Sequence, residues 1–282
     1  MKKIAITAAT LGLATTMSAT AADISTPPVY HTPVVTPVHH EVKSATGWYL
    51  RGDVGFAYNK LRGINYSVSG GTKVFDTTSL KENFIVGVGA GYKLNDYLRT
   101  DVTLDYLSKS DFTGSTSGFC GTPAFNTDPC VSADYSSYSA WSLLANAYVD
   151  VFTYGRVTGY VGAGIGATYM NWKDLSNTSC STITTTNCDA TVIHGGASGW
   201  RATGALMAGA SVEINCALAA DVGYRYRAIA SGRMFEYSTG GGPGFHKTLH
   251  SHEGRAGLRY TFGGCDTHIP PYEPPTLPPV YK

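Results

Sequence analysis

Between Gly47 and Phe262 the chain places apolar and polar residues alternately, in eight separate stretches. The last is the clearest: Ala256, Leu258, Tyr260 and Phe262 share one face, while Glu253, Arg255, Gly257, Arg259 and Thr261 share the other. Successive side chains of a β-strand point to opposite faces, so a strict period of two predicts a strand with one apolar and one polar side. The first stretch begins at Gly47, where Trp48, Leu50, Val54, Phe56 and Tyr58 oppose Tyr49, Arg51, Asp53, Gly55 and Ala57. Six more stretches follow, at 84–93, 99–106, 138–152, 157–169, 200–213 and 220–227.

The connections between them alternate in length. Residues 94–96, 153–156 and 214–217 are tight turns, whereas 59–81, 108–136, 171–199 and 230–251 read as long, polar loops. Short turns on one side and long loops on the other are the asymmetry of bacterial outer-membrane barrels, and aromatic residues at the ends of apolar bands suit the two membrane interfaces. The predicted fold is therefore all-β: an eight-stranded antiparallel transmembrane β-barrel over residues 47–262, with long extracellular loops. Pairing of the last strand with the first leaves no free edge.

Composition narrows the setting. Only 15% of residues are charged, and 33 glycines and 19 tyrosines suit twisted strands and interfacial girdles. A net charge of +1 gives no electrostatic footprint for a nucleic acid. Lys2 and Lys3 precede an apolar run and then Ala19 and Ala21, so residues 1–21 read as a secretory signal cut after Ala21. Export through the Sec pathway to the bacterial outer membrane, with membrane lipid as first partner, follows. Residues 22–46 form a Pro-rich periplasmic linker, and 263–282 a Pro-rich periplasmic tail. His31, His39 and His40 in the linker read as solvated, because an extended, flexible segment does not hold metal ligands in a fixed geometry.

Six cysteines in an exported chain predict disulfides. Cys120 and Cys130 share one loop and Cys180 and Cys188 another; Cys216 and Cys265 remain, both on the periplasmic side. The chain has no Cys-x-x-Cys pair, and no metal site is predicted.

The alternate, inward positions carry Arg51, Lys93, Arg99, Arg201, Arg225, Arg227, Arg255 and Arg259 with Asp53, Asp101, Asp105, Asp150, Glu213, Asp221 and Glu253. The two signs nearly balance. Eight strands enclose an interior that side chains can fill, so these groups are expected to pair across the lumen and close it. A narrow ion path is the alternative. Gly162, Gly164 and Gly166 alternate in phase with a strand and so do not form a phosphate-binding loop.

Catalysis finds no support in the pattern. Ser251 lies between His250 and His252 and must face away from both on a strand, so no catalytic residue, enzyme activity or cofactor is predicted. His246, His250 and His252, with Tyr237 and Phe245 nearby, leave haem capture by the fourth outer loop open as an alternative role, beside host-surface recognition.

The Ala-Ala-Asp start of the mature region, the Pro-rich lead into Gly47-Trp48-Tyr49, the strand at 160–169 and the closing run 257–262 resemble the small porin-family surface antigens of alphaproteobacterial outer membranes, built like the OmpA transmembrane barrel. The resemblance covers roughly residues 22–262. It implies a structural, surface-exposed role in envelope integrity, with some members binding haem or serving as immune targets. It also implies covalent attachment to peptidoglycan through an N-terminal Ala-Asp, here Ala22 and Asp23. The chain departs from the pattern in its six cysteines and in continuing past Phe262, where the family's barrels usually end on an aromatic residue.

Overall fold

The computed structural model describes residues 47–120, 128–183 and 187–263. The expected signal, linker and tail lie outside these residues, as do Ala22, Asp23 and Cys265. In chain order the strands are β1 (Gly47–Leu61), β2 (Ile64–Val68), β3 (Gly71–Val74), β4 (Thr77–Leu80), β5 (Asn83–Lys93) and β6 (Leu98–Ser115). Then come β7 (Ser117–Cys120), β8 (Asp128–Tyr154), β9 (Val157–Trp172), β10 (Leu175–Ser181), β11 (Val192–His194) and β12 (Ser198–Glu213). The chain finishes with β13 (Leu218–Ile229), β14 (Gly232–Phe235), β15 (Gly244–His246) and β16 (Leu249–Thr261).

Eight of these strands close into a ring, each antiparallel to its neighbours: β1, β5, β6, β8, β9, β12, β13 and β16, with β16 returning to β1. The closing seam pairs Tyr49 with Thr261 at one end and Leu61 with Leu249 at the other. The protein is an eight-stranded antiparallel transmembrane β-barrel. Outward positions hold exposed apolar side chains such as Leu50, Val54, Val86, Val88, Leu143 and Leu206. Aromatic pairs mark both ends of this band. Trp48 and Tyr92 meet at 5.3 Å on the periplasmic side, and Phe56 with Phe84 (4.2 Å), Tyr106 with Trp141 (4.8 Å) and Tyr169 with Trp200 (5.4 Å) on the outer side.

The turns at the periplasmic end match the predicted ones. Asn95 and Asn215 each accept hydrogen bonds from the two backbone amides that follow the turn, at 2.8 to 2.9 Å. This is the local capping that lets a short polar residue fix a turn.

The outer connections differ from the expected polar loops. β6 runs to Ser115 and β8 begins at Asp128, so most of the span from 108 to 136 is strand; 59–81 contains β2, β3 and β4, 171–199 contains β10 and β11, and 230–251 contains β14 and β15. β2, β3, β14 and β15 make a separate four-stranded sheet. Polar composition misleads here because these strands lie above the membrane: their outer face meets water, so Ser and Thr are at home on it. Disulfides join Cys120 to Cys130 at the tip of the β7–β8 hairpin and Cys180 to Cys188 beyond β10.

Candidate functional site

The interior of the ring is a stack of charged tiers. Nearest the periplasm, Arg99 lies between the rings of Tyr148 and Tyr160, 5.0 and 4.5 Å from their centroids, and donates to Asp150 at 3.2 Å. Asp221 stands 4.0 Å from Arg99 and 3.7 Å from Arg259, and accepts a short hydrogen bond from Ser211. In the middle tier Arg51 grips Asp53 through Nε and Nη2 at 2.9 and 2.7 Å and donates from Nη1 to Asp101 at 3.1 Å. Asp101 also accepts from the Tyr49 hydroxyl at 3.1 Å and the Asn146 amide at 2.7 Å.

Asp105 is the hub of the outer tier. It takes Arg225, Arg227 and Arg255, each at 2.7 Å, while Glu253 accepts from Arg227 at 2.8 Å and lies 3.4 Å from Arg255. Arg255 also approaches Asp53 at 3.7 Å, which joins this tier to the middle one. Arg227, Asp105 and Glu253 have fully buried side chains. A buried ion whose partner is deleted costs about 3 to 5 kcal/mol, so six guanidiniums facing six carboxylates is an arrangement that holds only as a set. Room for these long side chains comes from facing glycines. A Cβ at Gly87 would collide with the Asp105 carboxylate and the Arg255 guanidinium.

Twelve of the fifteen inward charges named from the sequence belong to these tiers, and three do not. Lys93 and Glu213 sit at the periplasmic ends of β5 and β12 without an ion pair among the described residues. Arg201 is corrected outright: it lies at the opposite end and donates to the carbonyls of Trp200 and Arg233, at 3.0 and 3.1 Å. An inward position at a strand end reaches the rim and not the lumen, which alternation alone does not reveal. Tyr49, Asn146 and Tyr148, which donate to Asp101, and Ser211, which donates to Asp221, also belong to the network; a hydroxyl or amide at an inward position is the signal the sequence carries for them.

Above the outer tier the interior changes character. Ala57, Leu61, Ile64, Phe75, Leu80, Ile85, Leu107, Phe112, Tyr138, Trp172, Met234, Phe235 and Leu249 pack into one buried apolar cluster. Phe112 meets Phe75 at 6.0 Å and Trp172 at 6.1 Å, both edge to face. The barrel is thus filled by charge within the membrane and by a hydrocarbon plug beyond it. A small void among the charged tiers, bordered by Arg51, Asp53, Tyr148 and Asp221, measures about 20 Å³. That is space for a single water.

The three histidines considered for haem do not converge. His250 and His252 project outward from β16, with Nδ1 hydrogen-bonded to the Tyr226 and Tyr224 hydroxyls at 2.5 and 2.6 Å. His246 lies inside, on β15, buried 5.8 Å from the Trp172 ring, with Nδ1 donating to the Lys247 carbonyl at 2.8 Å. Burial, with a smaller contribution from Arg201, pushes its imidazole below the ordinary range. The expectation that all three share one exposed loop is corrected by strand parity and by the folding of β15 over the plug. Ser251 is buried inside the ring, away from His250 and His252. Among the described residues no three His, Cys, Asp or Glu side chains gather as a metal site. The third expected disulfide, Cys216 with Cys265, cannot be placed because Cys265 is outside the described residues.

Residues 7–262 match the family model for the outer membrane protein β-barrel domain. An uncharacterized protein of Brucella suis biovar 1 (strain 1330) is 34% identical over 286 residues, covering 89% of this chain and 95% of the relative. One of Brucella abortus (strain 2308) is 34% identical over 281 residues with the same coverage, 89% and 95%. Among solved structures, Neisserial surface protein A is 18% identical with a TM-score of 0.40, covering 77% of this chain and 97% of that one. OprG from Pseudomonas aeruginosa is 12% identical with a TM-score of 0.43, over 78% and 97%. With its closed ring of strands, its lipid-facing band and this match over most of its length, the chain belongs to the outer membrane protein β-barrel domain family.

Proposed function

We propose that this outer-membrane barrel is a structural, surface-exposed component of the envelope, closed to solutes and tethered to peptidoglycan through its mature N-terminus at Ala22 and Asp23. The observation that carries the reading is the filled lumen: paired charges occupy the membrane half and an apolar cluster the outer half. Transport needs a path between polar walls, and here every guanidinium in the tiers is already bound to a carboxylate of the same barrel. A protein whose interior is spent on its own stability acts through its surfaces and its ends.

Two measurements on the same material test the two halves of the proposal. Mass spectrometry of muropeptides from the producing cell is expected to find Ala22 joined to a peptide stem; a free Ala22 removes the tether. Refolded protein in planar bilayers is expected to show no current steps. Reproducible steps abolished by mutation of the lumen charges would replace closure with conduction.

A further inference from the structure

Along β1 the outward residues are apolar or aromatic from Trp48 to Tyr58, the next outward position is Lys60, and Arg62 follows just past the end of the strand; both are exposed. Ten residues of strand rise ~33 Å at ~3.3 Å each. Tilted by ~40° this spans a height of ~25 Å, which is the height of the lipid-facing band of such barrels. Lys60 therefore stands one step beyond the hydrocarbon, at the level of the outer-leaflet headgroups.

The neighbouring strands bring further groups to the same height. Tyr58, His252 and Tyr226 share one rung across β1, β16 and β13, and Lys60, His250 and Ala228 share the rung two residues farther out. The Tyr226 and Tyr224 hydroxyls hold Nδ1 of His250 and His252, so both imidazoles are fixed against the outer wall of the barrel; Nε2 of His250 is buried there, and His252 is the imidazole open to the outside. Among the described residues neither Lys60 nor Arg62 makes an ion pair, and no outward position of these three strands carries a carboxylate. The flanking acid is Glu82, just before β5. Elsewhere on the rim the contrast is clear: Lys109 is paired with Asp111 at 2.9 Å and Lys81 stands 3.8 Å from the same carboxylate.

We infer that Lys60, Arg62 and His252 form an outward-facing docking site for the phosphorylated headgroup of an outer-leaflet glycolipid. A guanidinium and an ammonium left unpaired beside a fixed imidazole match a phosphate, which accepts several charge-assisted hydrogen bonds at once. Their place above the aromatic girdle selects the source. A phosphate reaching them is one carried at the surface of the leaflet whose acyl chains lie against Tyr58, Phe56 and Val54. The site is on the outside of the barrel and does not depend on whether the lumen is closed.

The test is native mass spectrometry of the full-length protein with bis-phosphorylated lipid A, fully dephosphorylated lipid A and phosphatidylcholine, with inorganic phosphate as competitor. The wild type is expected to retain the bis-phosphorylated form selectively. The double variant K60Q/R62Q should weaken that retention by about tenfold or more, as loss of charged hydrogen bonds does, and leave phosphatidylcholine unchanged. K109Q removes a rim lysine already paired with Asp111 and should retain the lipid as the wild type does, with the same heat-dependent gel shift as evidence of folding. Equal retention of dephosphorylated lipid A, unchanged binding in K60Q/R62Q, or an equal loss in K109Q would each overturn the proposal. Displacement by millimolar inorganic phosphate would also overturn it, by making free phosphate the ligand.

Discussion

The membrane half and the outer half of this barrel are built from the same strands and are chemical opposites. On β1 the inward side chains run Tyr49, Arg51 and Asp53, then Ala57, Asn59 (paired with Asn83) and Leu61; on β16 they run Arg255, Glu253 and Ser251, then Leu249. The outward side reverses in step, from Phe56 and Tyr58 to Lys60, and from Ala256 to His252 and His250. On these two strands parity is unbroken across the change, whereas β6 shifts it by a bulge between Leu107 and Ser110. What changes is the solvent outside. Where lipid surrounds the wall, apolar groups belong outside and polar groups can occupy only the interior. Where water surrounds it, the hydrophobic effect recovers its usual direction and the apolar side turns inward. The level at which the two patterns exchange marks the outer surface of the membrane.

The contrast also separates two ways of holding a core together. Charge holds the membrane half through few, mutually dependent contacts, whereas the plug holds through many individually replaceable ones. The sharpest way to break the comparison is Asp105→Ala, which leaves three buried guanidiniums without their shared acceptor. Urea unfolding of the refolded protein should show a loss of about 3 to 5 kcal/mol, the range that removing one buried partner costs. An unchanged midpoint would mean that the tiers do not stabilise the barrel.

Removing a plug residue should cost less and act locally. Leu107→Ala, at the foot of the apolar cluster, is expected to lose about 3 kcal/mol. Limited proteolysis should then attack the outer strands first and spare the membrane half. Uniform digestion of both halves would show that they unfold as one unit and erase the distinction drawn here.

The smallest effect expected is one of pH, and it is confined to the outer half. Burial holds His246 below the ordinary imidazole value of about 6.5. At neutral pH and above, the group is uncharged in both folded and unfolded chains and carries no penalty. As the pH falls through that ordinary value towards the lower folded one, the unfolded chain takes up the proton first and the folded cap is destabilised. Amide protection across 244–246, taken relative to the intrinsic exchange rate at each pH, should therefore fall between about pH 7.5 and about pH 5.5, and His246→Gln should remove that dependence. The same acid sensitivity in H246Q would assign it to another group.

Much of this was legible along the chain because a lipid-facing strand reports its own environment. The eight alternating stretches, the three tight turns and the sign balance of Arg51, Asp101, Asp105 and Arg227 can be read residue by residue. The plug was not, although Leu61, Leu107 and Leu249 sit at inward positions just past the charged ones. Their neighbours are polar, and a strand above the membrane looks like a loop when polarity is taken as a sign of irregular structure. Nor could the chain show that Arg201 stops at the rim, or that His246 lies inside while His250 lies outside.

By itself, then, the sequence determined the eight strands of the ring, the parity of their membrane-spanning residues and the presence of a charged interior, because those follow from a local period of two and from the polarity of lipid. Only the tertiary structure decided which charges meet. Asp105 finds Arg225, Arg227 and Arg255 from 120 to 150 positions away, through ring closure and the stagger of neighbouring strands. It also decided that the outer connections fold over and seal the lumen, since a plug assembled from β1, β6, β9 and β14 exists only once the ring has brought them together.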